Sequence, residues 1–210
     1  MKNLIILFSC FLIYSFGYCQ IIKDVDEVSP FHEDLAAIKK GDQWGFINKE
    51  GVKVIDFRND LVSTTDEHFF DENGLRSVAY PLFKNGRCLT RKLIDGVYNY
   101  GYIDKTGKEV IAAQYLNATN FYNGYGIVIK FAKNVVGKNE VLGKQIVSYK
   151  LEEYIIDVSG KLVKYLDNAR NCSPSKIKNN MPPVFYSKFI APHMIAVKSS
   201  ENEKWNIYQF

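Results

Sequence analysis

The stretch Trp44–Ile55 reads WGFINKEGVKVI; it returns as YGYIDKTGKEVI at Tyr100–Ile111 and as EYIIDVSGKLV at Glu153–Val163. Each copy is an apolar strand, an Asn or Asp, two variable residues, a Gly and a second strand. Turn chemistry explains the constant positions. Asn48, Asp104 and Asp157 stand first in a type I turn, where a short polar side chain bonds the backbone N–H groups that follow. Gly51, Gly107 and Gly160 stand fourth, where a left-handed residue closes a hairpin with a bulge. Strand alternation places Trp44 and Phe46 on one face and Gly45 and Ile47 on the other. A bare Gly beside a large aromatic predicts close approach of another backbone or ring, read here as packing between repeats.

A fourth copy opens at Lys204-Trp205-Asn206-Ile207-Tyr208 and reaches Phe210 before its turn. Positions 44, 100, 153 and 205 lie 56, 53 and 52 residues apart. Weaker echoes precede the copies: an aromatic anchor, a polar turn and a strand at Phe31–Ile38, Phe70–Val78, Phe121–Val128 and Phe189–Val197. The expected fold is all-β, an array of about three and a half repeated antiparallel hairpin units, open and solenoid-like or propeller-like. The units run over roughly 30–69, 70–120, 121–188 and 189–210. Two or three short strands cannot bury an apolar face alone, so neighbouring units must stack. Pro81–Gly96, Lys133–Lys144 and the Pro-containing Lys164–Lys188 read as inserts. Ile21–Val28 is available to supply the strand that the fourth copy lacks, closing the array; a capped, open array is the alternative.

Together these motifs read F-x-x-G-L-A-x-V followed by W-G-[YF]-I-[DN]-K-x-G-K-x-V-I. The pattern resembles the WG-repeat family of bacterial proteins from Phe31 to Phe210, most clearly at Trp44-Gly45 and Tyr100-Gly101-Tyr102-Ile103-Asp104. The chain departs from it where Tyr100 and Glu153 replace the Trp, and where Tyr154 and Asn206 replace the Gly. The resemblance implies a β-rich repeat array, often on exported proteins. It implies no catalytic residues.

The chain has 210 residues, 47% hydrophobic and 24% charged, the balance of a globular protein, and its 14 Tyr and 14 Phe favour strands. A net charge of +4 is too small and too scattered along the chain to imply nucleic acid, and no nucleic-acid partner is expected. One Lys ahead of the apolar run Leu4–Phe16, with Gly17 and Cys19 before Gln20, reads as an export signal over residues 1–19. Thirteen residues are too short to span a bilayer, so no transmembrane segment is expected after cleavage. Lipid attachment at Leu7-Phe8-Ser9-Cys10 is the rival, weakened by Phe8. The domain at 20–210 keeps a charge of +3 and two cysteines, Cys88 and Cys172. These either form one disulfide or stay free, and their spacing does not choose.

No residue pattern announces chemistry. Asp66–Glu72 gathers four carboxylates around His68, but lacks the ligand spacing of a calcium loop and reads as a solvated turn. Ser173-Pro174-Ser175-Lys176 has S-x-x-K spacing without its companion motifs. The densest basic patch is Lys84, Arg87, Arg91 and Lys92, a candidate surface for an acidic glycan or protein, or a charged protective edge. Tyr98, Tyr100, Tyr122 and Tyr125 are candidates for stacking on sugars, Tyr100 reading rather as inter-repeat core. The terminal Tyr208–Phe210 pattern resembles an outer-membrane barrel strand, but the strands are short and carry charges on both faces. The expectation is an exported, non-catalytic binding or scaffold module in the periplasm, on the cell surface or outside the cell. It uses no cofactor or metal, and its partner is another envelope protein, with a glycan as runner-up and a cryptic carboxylate-pair hydrolase behind both.

Overall fold

The computed structural model describes residues 22–65, 79–177 and 181–210. Four blocks of antiparallel strands follow one another along the chain. The first is a four-stranded sheet of β1 (Glu27–His32), β2 (Leu35–Lys40), β3 (Gln43–Asn48) and β4 (Lys53–Arg58), in that order. A small pair, β5 (Thr64–Thr65) and β6 (Ala79–Tyr80), leads to the second block of β7 (Cys88–Ile94), β8 (Val97–Ile103) and β9 (Glu109–Tyr115). The third holds β10 (Asn117–Ala118), β11 (Tyr125–Asn139), β12 (Lys144–Asp157) and β13 (Leu162–Tyr165), with β14 (Arg170–Asn171) also paired to β12. After a short helix, α1 (Pro174–Ile177), the fourth block is β15 (Ser187–Ala191), β16 (Met194–Lys198) and β17 (Trp205–Gln209). The fold is an all-β repeat array without a closed barrel among the described residues.

The repeated turns form as their residues dictate. In each, the Gly N–H donates to the carbonyl of Asn48, Asp104 or Asp157 at 2.9 Å, and Gly51, Gly107 and Gly160 have φ of 73°, 83° and 84°. The Asn48 amide oxygen accepts from Val52 N–H at 2.8 Å. Asp104 accepts from the Thr106 hydroxyl and N–H, and Asp157 from those of Ser159. Those hydroxyls, and then the backbone N–H groups, hold both carboxyls below the usual aspartate range. A depressed folded pKa contributes stability that is complete above about pH 4 and is lost as pH falls through the lower folded value. Asp104→Asn combined with Asp157→Asn, which gives both turns the Asn48 chemistry, therefore flattens the melting temperature between about pH 2 and 5. A pH series of thermal melts checks this; an unchanged acid limb contradicts it.

The Gly after the aromatic has a different use from the one expected. A Cβ on Gly45 lies 2.8 Å from the Ile55 carbonyl oxygen, and one on Gly101 lies 2.5 Å from that of Ile111. The second strand of the same hairpin crosses here, so the close approach lies within a repeat rather than between repeats. The register records it: Phe46 pairs Ile55 but Trp44 pairs Arg58, and Tyr102 pairs Ile111 but Tyr100 pairs Tyr115. Where Tyr154 replaces the Gly, the shift at that position is gone, Tyr154 pairing Tyr165 beside Ile155 and Lys164, and one shift remains between Ile155 and Ile156.

Stacking between blocks makes the core. Phe46, Ile55 and Trp44 of the first block bury with Leu82, Phe83 and Cys88 ahead of the second. Tyr102 and Ile111 repeat the arrangement with Phe121 and Ile156, and Ile155 with Ile195 and Val197. Phe83 meets Phe46 edge-on at 4.9 Å, and Phe121 lies 4.8 Å from Tyr102. The turn glycines fit the same joints, Gly107 against Ile55 and Gly160 against Ile111. A second row of turns is cross-linked by polar atoms. Glu33 accepts from Asn85 and Gly86 N–H at 2.5 and 2.8 Å, and the Asn85 side chain accepts from Gly124 N–H at 2.9 Å.

Three expectations need correction. Pro81–Gly96 is not padding: Phe83-Lys84-Asn85-Gly86 is the anchor and turn of the second block, leading into β7. The proposed echo at Phe70–Val78 lies outside the described residues, as do the export signal and the Asp66–Glu72 cluster. Lys133–Lys144 is not a loop insert, because β11 and β12 continue through it as a paired ribbon. Val28 does not close the array. It pairs Ile38 of β2, so its strand widens the first sheet, and β17 pairs only β16 among the described residues.

Candidate binding groove

The long third block creates a feature that the others lack. β11 and β12 run past their sheet, and the segment after β14 folds back alongside them. Asn117 fastens that segment by donating its amide to the Pro183 carbonyl at 2.9 Å. Between this strap and β8–β9 lies an open groove of about 610 Å³ with Val97, Leu116, Phe131 and Ile177 as its apolar walls. Asn99, Gln114 and Lys130 add polar edges. The Lys130 ammonium lies 5.6 Å from each of the Tyr115 and Tyr154 rings, a cation held between two aromatic faces. Past Ile177 the surface continues into a cleft of about 440 Å³ bordered by Leu151, Arg170, Cys172 and Tyr186.

The departure at Glu153 supports this side of the molecule. Glu153 occupies the Trp position of the third hairpin and is fully buried. Its carboxylate accepts from Arg170 and from Tyr186 N–H, both at 2.7 Å, and from the Ser187 hydroxyl. The Arg170 guanidinium lies 3.9 Å from the Tyr186 ring centre and donates to the Val184 carbonyl. Where Trp44 contributes apolar packing, Glu153 ties β12, β14 and the strap before β15 through one ionic knot. Asn168, also buried, makes no side-chain hydrogen bond among the described residues.

Residues 21–44 and 100–130 match the family model described as the WG containing repeat. Over these two segments the chain is similar to the WG-containing repeat. The second match runs through β8, its turn and β9 into β11, so it covers one whole hairpin with the approach to the next. No curated protein and no solved structure matches this chain.

The sequence-designated residues divide by use. Trp44, Gly45, Asn48, Gly51, Tyr100, Gly101, Asp104, Gly107, Asp157 and Gly160 all serve turns, crossings or block interfaces in the repeats. Trp205 remains half exposed, with the Lys188 ammonium 5.0 Å from its ring. The basic patch is not one surface. Arg87 donates to the Val158 carbonyl at 2.8 Å, stapling the second block to the third, while the Lys84 backbone pairs with that of Arg87. Arg91 covers Tyr98 at 4.7 Å, and Lys92 pairs with Glu109 on the opposite strand face. Cys88 and Cys172 do not form a disulfide: both thiols are free, Cys88 in the first block interface and Cys172 at the strap. Burial pushes the Cys88 thiol far above its ordinary value. Tyr100 is buried core, whereas Tyr122 is exposed and stacks on Phe189.

The groove and the Glu153 knot escaped the sequence reading. One signal was present: a Glu in a Trp position, followed by an insert with Arg170 and the prolines. Their convergence depends on how far the insert folds back, which spacing does not encode.

Proposed function

We propose that this chain is a non-catalytic binding and scaffold module of the bacterial envelope whose partner is another envelope protein. The reading rests on the groove, whose walls come from the second block, the third block and the strap together. Apolar walls with a few polar groups at the edge suit a partner side chain or strand, since such interfaces concentrate affinity in a few anchored apolar residues. No cofactor enters the reading. A glycan partner is the second reading, supported by the Arg91–Tyr98 stack, an exposed cation over a half-buried ring beside the groove.

Crosslinking the full chain in its native envelope fraction tests both. A single protein captured in stoichiometric amount, and reduced about tenfold or more by Ile94→Asp at the groove rim, is the expected result. Capture indifferent to Ile94→Asp removes the groove from the reading. Salt-sensitive retention on anionic glycan, lost with Arg91→Ala, transfers the function to the second partner class.

A further inference from the structure

Among the described residues, the β11–β12 ribbon extends well beyond anything that packs against it. β10 pairs β11 only at Val128 and Ile129, and β14 pairs β12 only at Lys150 and Leu151. Cys172 N–H also donates to the Tyr149 carbonyl at 2.9 Å, so among the described residues the two strands have only each other from Asn134↔Ser148 to Asn139↔Lys144. Six strand residues on β11 give an arm of about 20 Å. A two-stranded ribbon has no core of its own. Its apolar residues nevertheless concentrate at the free end: Val141 is 93% exposed, Leu142 67% and Val136 62%, with Val135 and Ile146 also exposed. The register shift between Val135 and Gly137 leaves Val136 without a partner across the ribbon and adds it to this apex.

Lysines flank the ribbon on both faces, Lys138 and Lys144 nearest its apex and Lys133 and Lys150 at its base. Lys133 and Lys138 come from β11, Lys144 and Lys150 from β12, and Glu140 is the one acid between Ala132 and Lys150. The pairs Lys133↔Tyr149 and Ala132↔Lys150 are adjacent, so these two lysines face opposite sides; Lys138↔Gln145 and Asn139↔Lys144 repeat that arrangement. None of the four ammonium groups has an ion-pair partner among the described residues. A protein partner reads one face of a ribbon. An apolar tip ringed by cations on both faces instead complements a medium that surrounds it, acyl chains at the apex and anionic headgroups at the collar.

We propose that the β11–β12 ribbon is a lipid-contacting arm whose Val141–Leu142 apex enters an anionic membrane surface while Lys133, Lys138, Lys144 and Lys150 bind its headgroups. The arm holds the body and its groove at the membrane, a role separate from partner binding in the groove.

The full chain carrying Leu142→Trp is mixed with vesicles of brominated phosphatidylglycerol, and parallel samples with brominated phosphatidylcholine. Quenching of the introduced indole, above the background from Trp44 and Trp205 of the parent chain, is expected with the anionic lipid and weakens as salt is raised. In sedimentation with phosphatidylglycerol vesicles, Val141→Asp with Leu142→Asp lowers partitioning at least tenfold, and Lys138→Glu with Lys144→Glu does the same at low salt. Every variant keeps residues 1–21, so the apolar leader contributes equally and the difference reports the arm. Circular dichroism matching the parent shows that the body is intact. An unquenched indole, or partitioning unchanged by the apex substitutions, overturns the proposal. Capture of a protein by the apex without lipid quenching also overturns it and makes the ribbon a protein-docking arm.

Discussion

Gly101→Ala is expected to lower stability by about 2–4 kcal/mol and the melting temperature by about 5–15 °C. The added methyl lies 2.5 Å from the Ile111 carbonyl oxygen and 2.7 Å from the Ala113 nitrogen, both backbone atoms in a paired strand. Relief requires β9 to move off β8. That movement breaks the crossing that takes Tyr100 to Tyr115 and disturbs Ile111, against which the Gly160 turn packs. Gly86→Ala is the control for conformation alone. Its φ is +71° and its Cβ meets nothing within 4 Å, so it costs about 1 kcal/mol. Thermal unfolding followed by circular dichroism separates the two. Equal losses would mean that the crossing is soft enough to accept the added methyl.

Breaking the buried ionic knot has a larger effect. Glu153→Ala leaves the Arg170 guanidinium largely buried without its carboxylate and strips acceptors from Tyr186 N–H and the Ser187 hydroxyl. Loss of one partner of a buried pair costs about 3–5 kcal/mol, most of it from the uncompensated group left behind. Glu153→Leu combined with Arg170→Leu removes both charges and recovers much of that loss, because the desolvation penalty goes with them. Urea unfolding of the single and double variants measures the coupling. A double variant as unstable as the sum of its singles would show that Glu153 and Arg170 act independently.

These two sites differ in how far they were legible. The hairpins were readable because their cause is local: Asn48, Asp104 and Asp157 bond their own turns, and Gly51, Gly107 and Gly160 supply the left-handed residue four positions along. Gly45 and Gly101 signalled close approach correctly but not what approaches, since a strand crossing and a neighbouring repeat impose the same demand for a missing side chain. The anchor and turn at Phe83-Lys84-Asn85-Gly86 escaped notice because they lie within a basic stretch that resembles an insert.

By itself, the sequence determined the turns, the hairpins, the repeat and the need to stack, because each follows from backbone conformation and alternation over a few residues. Only the tertiary structure decided which blocks meet, that Cys88 and Cys172 belong to separate clusters, and that Arg87 is committed to Val158. It alone joined Glu153 to Arg170 and built the groove from two blocks and a strap. Those outcomes depend on contacts between residues far apart in the chain, and the entropy of closing such loops varies too slowly with length for spacing to select among them.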